Sequence, residues 1–492
     1  MTKKQQRLET DFAVVAAGPA GLCAAVQAAQ QGLRVAVFEK MPVAGGCARL
    51  GMGLFGLESR IQKRSMVALT REQAYREYMD YVHWHVDARL VHEYFWRSGD
   101  TINWLEDLGV KFHTVKKMFP SGYDTWHVVQ PDDGSVPGGG AARGMVRVLC
   151  ERAEELGVQF YYNTPVKRIL REEGGAVTGL IAESEDTEYE VRSRAVLIAT
   201  GGFGANPEMV RELTGFTPHK DMWHREIRGI VGDGLKMAWE IGAMRGRTTM
   251  EMGGSIPTVN GISYGAYPCM NLFQQFSILA VNVNGERICD EKVFENNSLS
   301  GNVIDIQPGR IVYKLLSQNI VEHYIANGLD APSGVYSTDP TQNVREDMLR
   351  AQSNAPDVAF VADSIPELAE KMGLPVETLR RTVEEYNAAC AEHCDELFCK
   401  DRRYLVPLRS GPFYAIRACL GAYGSLGGIK INYKTEVLDE NSRPIPGLYA
   451  AGSDTCEIYD GTYMFQFPGN TMGYAANTGR MAAESAVEYI TK

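Results

Sequence analysis

No stretch of this 492-residue chain approaches the roughly eighteen consecutive apolar residues that a membrane helix requires. The opening Lys3-Lys4 leads through a polar stretch, Gln5 to Asp11, and not into the apolar core of a signal peptide. Basic charge is also in deficit. Fifty Lys and Arg against 61 Asp and Glu leave a formal net charge of −11, no field for gathering nucleic acid or an anionic membrane. The ten cysteines are scattered and form no CxxC pair, so neither a secreted disulfide scaffold nor a CxxCH haem attachment is written here. The one cluster, Cys390, His393, Cys394 and Cys399, lacks the spacing of a metal site and reads as a helix with ordinary thiols. A chain without a membrane span, in a reducing cytoplasm, with no nucleic-acid partner and no metal, is the expectation.

What is present is glycine, 50 residues of it, concentrated in turns that follow apolar runs. Phe12 to Ala16 reads as a short strand, Ala17-Gly18-Pro19-Ala20-Gly21 as a turn, Leu22 to Gln31 as a small-residue helix, and Arg34 to Phe38 as a second strand ending at Glu39. In such a βαβ unit the close backbone approach at Gly18 lets a pyrophosphate rest on the helix N-terminus. Glu39, 18 residues past Gly21, is placed to accept hydrogen bonds from ribose hydroxyls. The first glycine of the usual turn is replaced by Ala16, which adds a Cβ at the tightest point. Lys40 leads into a second glycine pair, Gly45-Gly46-Cys47, which suits flavin better than nicotinamide. Buried-strand runs return to glycine turns at Ala195 to Gly204, including Thr200-Gly201-Gly202, and again at Gly447 to Asp454, including Gly452. The dinucleotide-binding domain is therefore expected to be assembled from both ends of the chain.

In this order the motifs resemble the FAD-dependent fumarate reductase and succinate dehydrogenase flavoprotein family, with its flavocytochrome, urocanate reductase and ketosteroid dehydrogenase branches. The matching segments are Ala16 to Gly21, Glu39 to Gly53 with Met52, Ala141 to Val166, Ala199 to Gly204, Val231 to Ala243, Val281 to Arg287 and Gly427 to Arg480. The resemblance implies an α/β fold in which a Rossmann-like FAD-binding domain is interrupted by an α+β capping domain. The expected limits are 1–253, with a helical segment over 54–130 opened by Leu69-Thr70, then a cap over 254–405, then 406–492. Substrate would lie between cap and flavin. Asn470, Thr471 and Met472 open a helix whose first N–H groups would face the flavin N1/O2 edge. Asp233 and Asp454 read equally well as ribityl-facing or as carboxylates that organise turns. Where relatives with covalent FAD carry His, this chain has Cys47, so noncovalent FAD is expected.

The same resemblance supplies candidate chemistry. The family's proton-delivering arginine stands eight positions after the motif arginine, which is Arg287 here, and that position is occupied by Glu295. Glu295 is therefore the candidate proton carrier, Arg287 the first alternative for substrate contact, and Glu291 a structural acid. The dicarboxylate-binding arginine falls on Gln466 and the substrate-binding histidine near Tyr423, so fumarate is a poor fit. Tyr423, Tyr459, Tyr463, Phe465, Gln466 and Phe467 suggest an aromatic, hydroxyl-bearing wall for a neutral ligand such as an enone, steroid or aryl alkene. The expected activity is reduction, or in reverse desaturation, of an activated carbon–carbon double bond. The small-molecule alkene would be its substrate, and NAD(P)H or a separate protein the electron donor. An electron-transfer subunit dependent on a partner and an oxidase of the aspartate oxidase kind are the competing assignments.

Overall fold

A computed structural model of the chain describes residues 3–224, 227–255, 267–331, 339–455 and 457–492. Its centre is an eight-stranded sheet whose parallel part runs Pro444–Ala450, Thr187–Ile198, Lys4–Val15, Val35–Phe38, Gln159–Tyr161. The register aligns Val15 with both Phe38 and Ile198, and Ile198 with Ala450. Four strands thus end along one edge, and the turns that follow them meet there: 16–21, Glu39, 200–202 and Gly452. That edge is where doubly wound sheets bind their ligands. The α/β class and the assembly from both chain ends are as expected.

Small residues determine how closely the helices approach this sheet. Helix Pro19–Gln30 is buried over Ala20 to Ala28, and the C-terminal helix Asn470–Thr491 packs on it. A Cβ added at Gly479 would lie 2.1 Å from the Ala20 carbonyl oxygen, so no larger residue allows this contact.

The first strand is longer than its apolar run. Gln5 to Thr10 continues the ladder by pairing with Glu188 to Ser193, a largely polar stretch whose side chains alternate between exposed and more buried positions. Over 54–130 the helices Arg60–Arg64, Arg71–Tyr81 and Ala88–Leu108 appear, with Thr70 and Gln73 forming the capping box of the second. The same region also holds a three-stranded sheet, Gly53–Phe55, Trp126–Val129 and Phe112–Lys116.

A six-stranded sheet is built on the long strand Phe413–Ile429, which pairs with Trp223–His224, Arg245–Ser255, Ile311–Ser317 and Ala359–Ala362. Phe413 to Ile416 pack into the core of the capping region with Leu279, Tyr324 and Tyr386, whereas Ala418, Leu420, Leu426 and Ile429 pack into the core of the FAD-binding region. The limits expected at 254 and 405 therefore do not fall at breaks in the fold: 254 lies within a strand, and the sheet on the cap side needs 413–429 to complete it. The cap's expected start at 254 leads directly into 256–266, which lie outside the described residues. Cys390 is buried on helix Val376–Glu392, while Cys394 and Cys399 are exposed. Among the described residues no helix is long and apolar enough to cross a membrane.

Candidate active site

The glycine turn at the sheet edge is built around two carboxylates. Glu39 is buried and accepts the Ala17 N–H through Oε2 and the Met41 N–H through Oε1, both at 2.8 Å. Each oxygen keeps a second lone pair, so the ribose role expected of it is compatible with this bracing of the turn. Asp454, fully buried, accepts the N–H groups of Thr200, Gly201 (3.2 Å) and Gly202 (2.8 Å) and the Thr200 hydroxyl (2.9 Å). Of its two readings, the geometry gives it the turn-organising one. Asp233 forms an ion pair with Lys40 at 2.5 Å, tying the end of the second strand to helix Asp233–Glu240.

Ala16 has φ +82°, a conformation that costs a non-glycine residue on the order of 1–2 kcal/mol. Ala16→Gly is expected to stabilise the protein by about 1 kcal/mol after the entropy lost by glycine is deducted. Thermal melting of the apoprotein checks this, and a lower melting temperature contradicts it.

These turns lie close together: a Cβ on Gly46 (φ +47°) would sit 3.6 Å from Gly18 Cα, and one on Gly18 would lie 3.9 Å from Ala199 O, so the glycines keep the three runs free of side chains where they meet. Helix Pro19–Gln30 begins with no side-chain cap, leaving its first N–H groups unsatisfied by the chain. The C-terminal helix likewise begins at Gly469 with no side-chain cap. Asn470 Oδ1 accepts the Tyr94 hydroxyl at 2.9 Å, and Asn470 Nδ2 is buried with no hydrogen-bond partner among the described residues. The Phe55 N–H donates to Gly469 O at 2.8 Å, which brings Met52-Gly53 alongside Thr471 and Met472. Val166 is buried at the start of the strand Val166–Arg171. The uncapped start of helix Pro19–Gln30 and the orphaned Asn470 amide fit a dinucleotide that carries an extended polar ring system. Cys47, on the exposed side of its turn, has its thiol pushed up to about 12 by loss of solvation, with the Glu251 carboxylate adding to the shift.

The substrate candidates gather around Tyr463. Tyr463 is buried and stacked on Tyr459 at 5.3 Å, with Phe465 edge-on at 4.6 Å and Tyr423 5.8 Å further along. The Tyr463 hydroxyl accepts the Thr471 N–H at 3.0 Å. Tyr423 is 46% exposed, and its hydroxyl accepts Asn297 Nδ2 at 3.3 Å. Tyr459 and Phe467 belong to the core beneath, and Gln466 is half-buried with its carbonyl receiving the Tyr123 N–H at 2.9 Å. Glu295 is half-buried, and its Oε1 accepts the Ser121 N–H at 2.6 Å. Together with Asn297 and with Asn302, which donates to Thr462 Oγ1 at 3.1 Å, it brings the cap down on the 121–123 and 462–467 loops.

Arg287, singled out above for substrate contact, is enclosed in the cap instead. It makes a two-pronged pair with Glu291 at 3.0 Å and a third bond to Asp395 at 2.9 Å, with only 5% of its side chain exposed. Lys400 completes the cluster at 2.8 Å from Glu291. With these carboxylates holding its donors, Arg287 shapes the cap and does not face a ligand.

Sequence reasoning missed Glu251. It lies on strand Arg245–Ser255, its Oε2 accepts the Thr471 hydroxyl at 2.9 Å, and desolvation pushes its carboxyl up to about 7. An acid in the middle of a strand that must pair on a buried sheet was the available signal.

Fold and site together define a flavoprotein built on a doubly wound sheet with glycine turns along one edge and a cap. A family model described as FAD binding domain matches residues 11–471, and the chain belongs to that family, among its fumarate reductase-type flavoproteins. It is 33% identical over 489 residues to the vinyl phenol reductase of Lactiplantibacillus plantarum, covering 97% of this chain and 96% of that protein. It is 30% identical over 494 residues to the NADH:fumarate oxidoreductase of Klebsiella pneumoniae, covering 97% of this chain but 48% of that longer protein. The 3-ketosteroid-Δ4-(5α)-dehydrogenase of Rhodococcus jostii RHA1 shares the fold, with TM-score 0.76, 24% identity and 97% of each chain covered. The protein is an FAD-dependent oxidoreductase acting on carbon–carbon bonds.

Proposed function

We propose that the protein reduces the carbon–carbon double bond of a small, uncharged aryl alkene. The observation that carries this reading is the enclosure of Arg287: the arginine of the cap motif is held by Glu291 and Asp395, so it offers a carboxylate substrate no guanidinium. The aromatic series Tyr463, Phe465, Tyr423 supports a planar ligand, and so does similarity along nearly the full length of a vinyl phenol reductase. Bound FAD, once reduced, supplies hydride from its N5. NAD(P)H or a separate donor protein supplies the electrons.

The chain's own part is to seat the ring, exclude water and move one proton. Tyr463 and Phe465 form the face on which the aryl ring stacks. Glu295 delivers the proton to the alkene from the cap. Its Oε1 is fixed by the Ser121 N–H, and its Oε2 has no partner among the described residues. Cys47 holds its proton, because a thiol raised to about 12 offers little thiolate for attack on the flavin, which supports noncovalent FAD.

The test is anaerobic reoxidation of the photoreduced holoenzyme. 4-Vinylphenol is expected to restore the oxidised flavin spectrum rapidly and fumarate slowly. Glu295→Gln is expected to keep FAD and to slow reoxidation by about a hundredfold, the usual scale of general acid catalysis. Faster reoxidation by fumarate contradicts the substrate class, and an unchanged rate in the variant removes Glu295 from proton delivery.

A further inference from the structure

We infer that Glu251 is the specificity-determining residue of this pocket, accepting a hydrogen bond from a hydroxyl group on the substrate's aryl ring and turning away alkenes that carry a carboxylate. This rests on the aryl alkene reading above and deepens it to hydroxyaryl alkenes.

The first support is backbone geometry. Strand Arg245–Ser255 pairs antiparallel with Phe413–Ile429, Met250 opposite Ser425 and Met252 opposite Ala422. Between those pairs one residue, Glu251, faces two, Tyr423 and Gly424. This is a β-bulge, a device that re-aims side chains beside active sites. It places Glu251 across the ladder from Tyr423, whose ring lies in the aromatic series with Phe465 and Tyr463.

The second support is the company Glu251 keeps. The Thr471 hydroxyl holds Oε2, and the Thr471 N–H is engaged with the Tyr463 hydroxyl, so carboxyl, helix start and aromatic wall form one connected unit. Cys47 lies on the cofactor side, near enough for Glu251 to raise its thiol. Glu251 therefore stands between the glycine turn that carries Cys47 and the aromatic wall. Oε1 has no hydrogen-bond partner among the described residues. Glu251 is half-buried, so this free oxygen is open to a hydrogen-bond donor brought by a ligand that displaces water from it.

A phenolic O–H is such a donor, and a hydrogen bond to a desolvated carboxylate is stronger than one between neutral groups. A methyl group of the same size leaves the oxygen unsatisfied, and the site rejects it for the reason that sites built around a hydroxyl reject its deoxy analogue. A ligand carboxylate would put like charges together with little water between them. One side chain thus gives both preference and exclusion.

The experiment, run well above pH 7 so that the Glu251 carboxyl is ionised, measures binding to the oxidised holoenzyme by perturbation of the flavin spectrum, with three ligands that cannot be reduced: 4-ethylphenol, its isostere 4-ethyltoluene, and 4-ethylbenzoate. The wild-type protein is expected to prefer 4-ethylphenol to 4-ethyltoluene by about tenfold or more, the scale of a hydrogen bond to a charged group, and to bind 4-ethylbenzoate weakest. Glu251→Leu is expected to reduce the first preference to about twofold or less. Glu251→Gln, keeping an amide oxygen, is expected to keep part of that preference while gaining affinity for 4-ethylbenzoate. A wild-type protein that does not distinguish hydroxyl from methyl overturns the inference without need of a variant. So does a preference that survives intact in FAD-replete Glu251→Leu. If 4-vinylphenol still reoxidises the enzyme in either case, the aryl alkene reading stands and only the role of Glu251 falls. If no aryl ligand binds and no aryl alkene reoxidises it, both fall.

Discussion

Asp454→Asn is expected to produce a folded protein that has largely lost its FAD. The buried Asp454 carboxylate is the common acceptor for the Thr200, Gly201 and Gly202 N–H groups and the Thr200 hydroxyl. An amide replaces one acceptor oxygen with a donor that faces other donors. At least one N–H then stays buried and unsatisfied, at about 1–3 kcal/mol per group. Gly201 and Gly202 hold φ +86° and +92°, a turn that persists because the carboxylate fixes it. Released, it moves out of line with Gly18 and Glu39 at the sheet edge. A loss of roughly 3 kcal/mol in FAD binding, on the order of a hundredfold in affinity, follows. Flavin fluorescence titration of the apoprotein measures this, with circular dichroism as the check on folding. Affinity within about threefold of wild type would show that the turn does not depend on its carboxylate.

The second large effect is expected at Glu291, where FAD should be retained and stability lost. Side chains of Arg287, Glu291, Asp395 and Lys400 are exposed by 5%, 0%, 2% and 0%. Lys400 also donates to Tyr386 Oη at 3.0 Å and to Ile278 O at 3.1 Å, so every part of the cluster is satisfied. Glu291→Gln leaves two buried cations beside a single carboxylate, and breaking a buried ion pair in this way costs about 3–5 kcal/mol. The denaturant midpoint is expected to fall accordingly. Stability close to wild type, or a primary loss of flavin, would contradict an internal role for the cluster.

Much of the fold is legible in the sequence because its signals are local. The apolar runs at 12–16, 34–38, 195–199 and 447–451 each precede a glycine turn, and the shared register of Val15, Phe38, Ile198 and Ala450 is what such runs produce when they pair in parallel. Thr70 announces its helix through Gln73 three residues on. What could not be read depends on residues far apart in the chain. The enclosure of Arg287 needs Asp395, 108 positions later. The bracing of the 200–202 turn needs Asp454, and the strand formed by the largely polar Gln5 to Thr10 needs the ladder offered by Glu188 to Ser193. Glu251 was hidden for the same reason: its environment comes from a bulge opposite Tyr423-Gly424 and a hydroxyl 220 positions away. The glycine turns could be carried over from the family resemblance because each is a local signal at the end of a strand. The resemblance transferred Arg287 poorly, because the geometry of the cap assigns that side chain to its own carboxylates.

The most direct test of the account is the fate of the flavin when the purified, FAD-reconstituted protein is precipitated with acid. The account predicts a yellow protein carrying one FAD per chain, with the colour passing entirely into the supernatant. A protein that stays colourless through reconstitution, or a pellet that keeps the flavin bonded to Cys47, would contradict it.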